Sequence, residues 1–279
     1  MPRLTRRAFM GSAAALAASS ALAPSTSVAA PPAGRTLTLG VASYSTRKFT
    51  LDQTLEMAKA LGVTSMTFKD VHIPRTGTPD ATRVLREKIV AAGITIMGGG
   101  TITLPNDPAE IRRNFEYAKA AGFPLIFTSP DPAALDTIEQ MAKEYDIKVA
   151  IHNHGPEDKR WPRPQDAYAA IKSRDKRLGL CIDVGHTTRT GTDPVAACRE
   201  CRDRLYDMHV KDLASKTEKE SQVEVGRGVI DYPALFRTLI EIGYQGQVGL
   251  EYEINARNPL PGMIESMAYM RGVLAAVTT

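Results

Sequence analysis

The chain has 279 residues and a formal net charge of +4, from 35 basic and 31 acidic side chains. Part of the basic excess sits at Arg3, Arg6 and Arg7. No basic stripe with interleaved aromatics follows, and the acidic residues are spread along the chain, so nucleic acid is not an expected partner.

The first element in chain order is a leader. Thr5-Arg6-Arg7-Ala8-Phe9-Met10 is a twin-arginine export pattern, followed by an Ala-rich apolar stretch from Gly11 to Ala23 and a small-x-small site at Ser27-Val28-Ala29. Residues 1–30 are therefore expected to be an export signal, and the mature protein to be periplasmic or secreted. The apolar run falls short of the ~20 strongly apolar residues of a membrane span. Pro24 closes it, so no membrane anchor is expected after processing.

Residues 31–279 remain, about 250 residues, a length that suits one (β/α)8 barrel. Apolar runs of strand length alternate with helical patterns through this part. The first strand is expected at Leu37–Ala42. A helix follows with Leu51, Leu55, Ala58 and Leu61 on one side, closing at Gly62. A second strand covers Ser65–Lys69, and its helix runs from Pro79-Asp80 to just before Gly93. The third strand, Ile94–Met97, runs into Gly98-Gly99-Gly100, and a helix starts at the Asn106/Asp107 cap and stops at Gly122. The fourth strand is Leu125–Thr128, with a helix over Pro132–Tyr145. The fifth and sixth strands are Lys148–Ile151 and Leu178–Ile182, and a helix follows near Asp193–Arg202. The seventh strand, Leu205–Val210, leads through a loop to a helix from Asp231-Tyr232-Pro233 to Ile242. The eighth, Gln247–Tyr252, precedes a last helix. Strict alternation favours a single-domain parallel barrel over an open doubly wound sheet. The turn after the first strand, Ala42-Ser43-Tyr44-Ser45, is not the Gly-rich phosphate turn of such a sheet.

Against this frame the histidines stand out. There are five, His72, His152, His154, His186 and His209, and each lies where an expected strand ends. The eighth strand ends in carboxylates, Glu251 and Glu253. In a barrel all strand C-terminal ends open onto one mouth, so these groups should converge, and their types suit a divalent metal. Residues i and i+2 of a strand share a face. His209 and Lys211 therefore point together, as do Glu251 and Glu253, and His152 and His154. Unpaired buried charges are costly, so four successive polar strand ends are hard to explain as packing. Of the three cysteines, Cys198 and Cys201 lie in a helical pattern and are expected to pack there; Cys181 belongs to the sixth strand.

At these residues the chain resembles the sugar isomerase and epimerase superfamily with a xylose-isomerase-like barrel. The segments are Cys181-Ile182-Asp183-Val184-Gly185-His186, Asp207-Met208-His209-Val210-Lys211-Asp212, Gly226-Arg227-Gly228 and Gly249-Leu250-Glu251-Tyr252-Glu253. The resemblance implies a (β/α)8 barrel holding one divalent ion, Mn²⁺, Co²⁺ or Zn²⁺ with Mg²⁺ also compatible, through Asp183, His209 and Glu251. It places His152 where the family usually has a glutamate. An imidazole bound to a metal cannot move the substrate proton, so the resemblance asks for a base elsewhere: His154, Glu157, Lys211 or Glu253. His154 and His186 are also candidates for holding ligands in place or touching substrate.

The His152-Asn153-His154 version, together with Lys69-Asp70-Val71-His72, resembles a subset of the superfamily, some of whose members act on 3-keto-glycosides by elimination or hydration. The implied function is an exported metal-dependent sugar isomerase or epimerase that removes a proton next to a carbonyl. A 3-keto-glycoside lyase or hydratase is the alternative, and a non-catalytic sugar-binding barrel a remote one. The expected partner is a small keto-sugar or keto-glycoside, and a homo-oligomer is compatible with the sequence. Lys69, His72, His186, Arg227 and Trp161 are the candidate substrate contacts. For Trp161 a sugar-stacking wall and a plain loop anchor stand equal.

Overall fold

The computed structural model describes residues 36–279. The export signal expected over residues 1–30 lies outside them. Eight parallel strands close into a barrel: β1 (Thr38–Ala42), β2 (Ser65–Phe68), β3 (Thr95–Ile102), β4 (Leu125–Thr128), β5 (Lys148–His152), β6 (Leu178–Asp183), β7 (Leu205–Val210) and β10 (Gln247–Leu250). Their neighbour order is β1, β10, β7, β6, β5, β4, β3, β2, and β1 pairs back with β2. Two further short strands, β8 (Asp212–Leu213) and β9 (Gln222–Val223), form an antiparallel hairpin just past β7.

The outer ring begins with α1 (Leu51–Leu61), α2 (Pro79–Ala91), α3 (Pro108–Ala121) and α4 (Leu135–Tyr145). It continues with α5 (Pro164–Ile171), α6 (Val184–Arg189), α7 (Pro194–Glu200), α8 (Tyr232–Glu241) and α9 (Leu260–Thr278). Local sequence sets their ends. Thr50 accepts from the Gln53 amide and Gln53 bonds back to Thr50, a capping box that starts α1. Gly62 ends α1 with φ of 62°, a conformation that glycine adopts at little cost. The side chain of Asp107 accepts from the first amides of α3. On α4, Leu135, Ile138, Met141 and Ala142 share the buried face. Strands β2, β4, β6 and β10 are buried along their whole length, as parallel strands covered by helices must be.

The differences from the sequence expectation are local. β3 runs on through its three glycines to Ile102, and the Phe123 ring lies where a side chain at Gly99 would sit. α6 starts directly at Asp183, whose side chain caps it by accepting from the His186 amide. At six residues it is too short to show a helical period. The β8–β9 hairpin and α5 lie in stretches where the sequence pattern is weak.

One buried charge ties the lower part of the barrel together. The Arg204 side chain is 1% exposed, and its guanidinium donates to the carbonyls of Lys172, Arg174, Asp175 and Leu178 at 2.7–2.9 Å. These bonds pin the α5–β6 turn to the start of β7. Arg204→Leu should destabilise the fold by at least ~2 kcal/mol, since charge-assisted bonds are lost and carbonyls are left without partners. A urea midpoint unchanged from wild type would contradict this.

Candidate active site

The C-terminal ends of β5, β6, β7 and β10 bring four side chains to one point. His152 is the last residue of β5 and Asp183 the last of β6. His209 lies opposite Asp183 on β7. Glu251 follows β10 and extends its ladder by one bond, from its amide to the carbonyl of Val210 at 2.9 Å. Each of the four offers one ligand-type atom, and all of these lie within 4.8 Å of one another. His152 Nε2 is 3.0 Å from His209 Nδ1 and 3.6 Å from Asp183 Oδ2. His209 Nδ1 is 3.3 Å from Glu251 Oε1. All four residues are buried.

Their neighbours aim them. Asn153 turns away from the mouth and locks β5 to β6: its Oδ1 accepts from the Asp183 amide at 3.0 Å, and its Nδ2 donates to Thr187 Oγ1 at 3.1 Å. Asp183 Oδ1 is taken by the His186 amide at 2.8 Å, which leaves Oδ2 free to face the site. Lys211 Nζ lies 3.1 Å from that oxygen without a hydrogen bond to it, and donates to Glu251 Oε2 at 2.6 Å and Glu253 Oε2 at 2.7 Å. Gly185 makes room for this lysine, since a Cβ there would stand 2.6 Å from Lys211 Cγ.

Charge follows from this packing. Burial, with the imidazoles of His154 and His209 nearby, holds His152 well below the ordinary histidine range, so its ring is neutral. Burial alone would lower His209, but Glu251, Asp207 and Asp183 outweigh it and raise this histidine. Burial alone would raise Glu251, but Lys211 and His209 hold it well below the usual carboxylate range. A neutral imidazole, a second imidazole and two carboxylates are a donor set that fits a divalent transition ion. The buried Asp183 Oδ2, which accepts no hydrogen bond, is the observation that most favours such a fit.

A cavity of about 320 Å³ opens above the cluster. His152, His154, His186, His209, Glu251 and Glu253 line one side, and Tyr44, Lys69 and Thr101 are on the other. Lys69 donates to the carbonyl of Thr101 at 2.6 Å, and burial lowers its pKa. His154 Nδ1 lies 3.4 Å from Asp158 Oδ2, and burial keeps this ring below the usual histidine range.

The remaining sequence-based candidates sit in different surroundings. Burial opposes charge on Lys211, yet Asp183, Glu251 and Glu253 outweigh it and hold the ammonium well above its usual range. Glu157 pairs with the buried Arg189 and does not line the cavity. Arg227 is exposed, pairs with Glu265 of α9 and does not line the cavity. Trp161 is buried, donates from Nε1 to the Pro130 carbonyl at 2.8 Å, which anchors its loop, and does not line the cavity. His72 is buried behind the cavity, its ring nitrogens 2.9 Å from Ser43 Oγ and 3.0 Å from Thr54 Oγ1. It fixes Ser43, which does line the cavity.

Asp207 lies beside the cluster although the strand-end pattern gives it no role. It is 1% exposed, accepts from Cys181 Sγ at 3.6 Å and stands 3.9 Å from His209 Nε2. Burial pushes its pKa up to about 7. The signal was present in the alternation of Asp207, His209 and Lys211 along one face of β7.

With this geometry in hand, comparison with known proteins places the fold. The family model described as xylose isomerase-like TIM barrel matches residues 132–273, just over half of the chain and all of β5 to β10. The chain belongs to this family. Among curated relatives, the rhizopine catabolism protein MocC of Rhizobium meliloti is 27% identical over 42% of this chain and 40% of its own length. The inosose dehydratase of Clostridium tetani is 28% identical over 49% of this chain and 51% of its own. The chain thus spans about half the length of the curated relatives it matches. A solved structure of a putative uncharacterized protein from Parabacteroides distasonis is 25% identical, with a TM-score of 0.67 over 85% of this chain and 98% of that one. The 3-keto-D-glucoside 4-epimerase of E. coli shares the fold at 19% identity, with a TM-score of 0.69 over 85% of this chain and 99% of that one.

The donor set carries a direct prediction. Protein freed of metal by chelation and reloaded with Mn²⁺ or Zn²⁺ should hold one ion per chain by elemental analysis. His209→Ala should lose most of it, because removing one of about four ligands breaks the site. Full occupancy in that variant would contradict the assignment.

Proposed function

We propose that the protein removes a proton from the carbon next to the carbonyl of a small keto-sugar or keto-glycoside and expels the oxygen from the next carbon. The observation that carries this reading is the cluster of His152, Asp183, His209 and Glu251 beneath a cavity whose remaining groups are suited to moving protons. A divalent ion held by these four residues would draw electrons from the carbonyl and an adjacent hydroxyl and acidify the C–H beside them.

The other roles fall to this chain's own side chains. His154 is neutral, lines the cavity and has Asp158 behind Nδ1, so its other nitrogen is free to accept the proton. Lys69, on the opposite wall, is placed to donate to the developing oxyanion. Lys211 keeps its proton and is bonded to Glu253, which lines the cavity, so this pair can hold a substrate oxygen by hydrogen bonds, while the proton for the departing oxygen is the one His154 has taken up. The C–H electrons become the new C=C bond, the C–O electrons leave with the oxygen, and that oxygen takes up a proton. The names of the inosose dehydratases, which describe loss of water, agree with this direction. Isomerisation or epimerisation is the second reading. It is favoured by the placement of His154 and Lys69 on different walls, which suits removal of a proton on one side and return on another.

The chemistry can be tested in deuterium oxide with metal-loaded protein and a methyl 3-keto-glucoside. Elimination should give release of methanol and an unsaturated or hydrated sugar. His154→Ala should slow it by about 10²–10⁴-fold, the usual loss for a general base. Deuterium wash-in with an intact glycosidic bond would favour isomerisation instead. Absence of both release and exchange would overturn the proposal.

We also propose that the protein is exported through the twin-arginine route, on the strength of Arg6-Arg7 and the Ala-rich stretch behind them. Replacing both arginines with lysine should leave full-length precursor in the cytoplasm. Normal processing of that variant would contradict the export reading.

A further inference from the structure

The mouth of the barrel holds a second chamber. Its volume is about 360 Å³, close to that of the first, and both fall at the small end of the ~300–1,000 Å³ range of ligand pockets. His186 and Glu253 line both chambers and form the partition between them. The second chamber lies toward β6, β7 and the β8–β9 hairpin, whereas the first reaches across to β2 and β3.

The outer wall of this chamber is built, not loose. The Gln222 side chain on β9 clamps the hairpin to the end of β10: Nε2 donates to the Glu251 carbonyl at 2.9 Å, and Oε1 accepts from the Glu253 amide at 2.9 Å. The same clamp fixes the partition residue. At its base, Asp212 Oδ2 accepts from the amides of Gly226 and Gly228 at 2.9 and 3.0 Å. The chamber is thus formed before any ligand arrives.

Its lining is mixed. Arg47 lies over the Tyr44 ring at 4.4 Å and donates to the Tyr44 carbonyl at 3.0 Å, with no carboxylate in ion-pair reach among the described residues. Lys219 also lacks an ion-pair partner among the described residues. Glu220 and Glu253 provide acceptors. Ile254 is 42% exposed, and among the described residues it is the one exposed large apolar side chain that lines either chamber. A simple anion would meet both cations but also both carboxylates. A flat aromatic would find only one aliphatic ledge. A sugar ring matches all three features, because its hydroxyls donate and accept while its C–H face packs on an apolar side chain.

We infer that the second chamber binds a second sugar unit, joined to the reacting ring by an oxygen that passes between His186 and Glu253. This rests on the proposed reading of the first chamber as the reaction site. It makes the substrate a two-ring glycoside, with the leaving sugar held beside the Lys211–Glu253 pair.

The test compares 3-ketocellobiose with methyl 3-keto-β-glucoside, which share the keto ring and differ in the second unit. Wild-type protein should show a KM at least ~10-fold lower for 3-ketocellobiose, about 1.4 kcal/mol of extra binding. Lys219→Ala and Ile254→Asp should each shrink that preference at least fivefold. Equal KM values on wild type, or a preference untouched by both variants, would overturn the inference. If neither keto compound is turned over, calorimetric titration with cellobiose itself decides the matter separately. Binding that Ile254→Asp abolishes would uphold the chamber while removing the proposed chemistry, and absence of binding would overturn the chamber as well.

Discussion

Three carboxylates, those of Asp183, Glu251 and Glu253, meet at the single buried ammonium of Lys211. Without that cation the ends of β6 and β10 would place like charges together out of water, which proteins tolerate poorly. With it, Glu251 stays ionised, and Glu253 is held at the partition between the two chambers. Gly185 is part of the same arrangement, since any side chain there would displace the lysine. The two histidines of the cluster differ: burial keeps His152 neutral, whereas Glu251 and Asp207 raise the proton affinity of His209. The site thus gathers three carboxylates around one buried ammonium, beside imidazoles whose nitrogens lie close enough to share one ion.

The barrel and the core of the site were legible in the sequence because both rest on local rules. Alternating strands and helices, with caps such as Thr50 and Asp107 and stops such as Gly62 and Gly122, set the order of elements. Polar residues at strand ends then had to converge on one mouth, and His152, Asp183, His209 and Glu251 do so. What was not legible depends on contacts between distant segments. His72 looked like a mouth residue because it follows a strand, but its loop folds back so that the ring bonds Ser43 and Thr54. Arg227 sits in a Gly-rich turn as a phosphate contact would, yet its partner is on α9, 38 residues away. Trp161 turns inward to the Pro130 carbonyl. The hairpin of β8 and β9 has two residues in each strand, too few for an alternating pattern to appear.

The β8–β9 hairpin shapes what the mouth can accept. Gln222 anchors it to β10, so one amide side chain both positions Glu253 and raises the wall of the second chamber. Asn153 plays the matching part on the other side, joining β5 to β6 and leaving His152 and His154 to face the cavity. Both amides lie between the functional residues in sequence, and both bond backbone. The result is a site whose working groups stand on strand ends while the selectivity of the mouth comes from a short insertion after β7, a division of labour common to (β/α)8 barrels.

His152, Asp183, His209 and Glu251 are expected to act together as one metal centre. Anomalous diffraction from crystals of protein loaded with Zn²⁺, measured at the metal edge, tests it most directly. The account predicts one strong peak per chain, with His152 Nε2, Asp183 Oδ2, His209 Nδ1 and a Glu251 oxygen each at about 2.0–2.2 Å from it. A peak at another group of residues, or none at this one in protein shown to be loaded, would contradict the account.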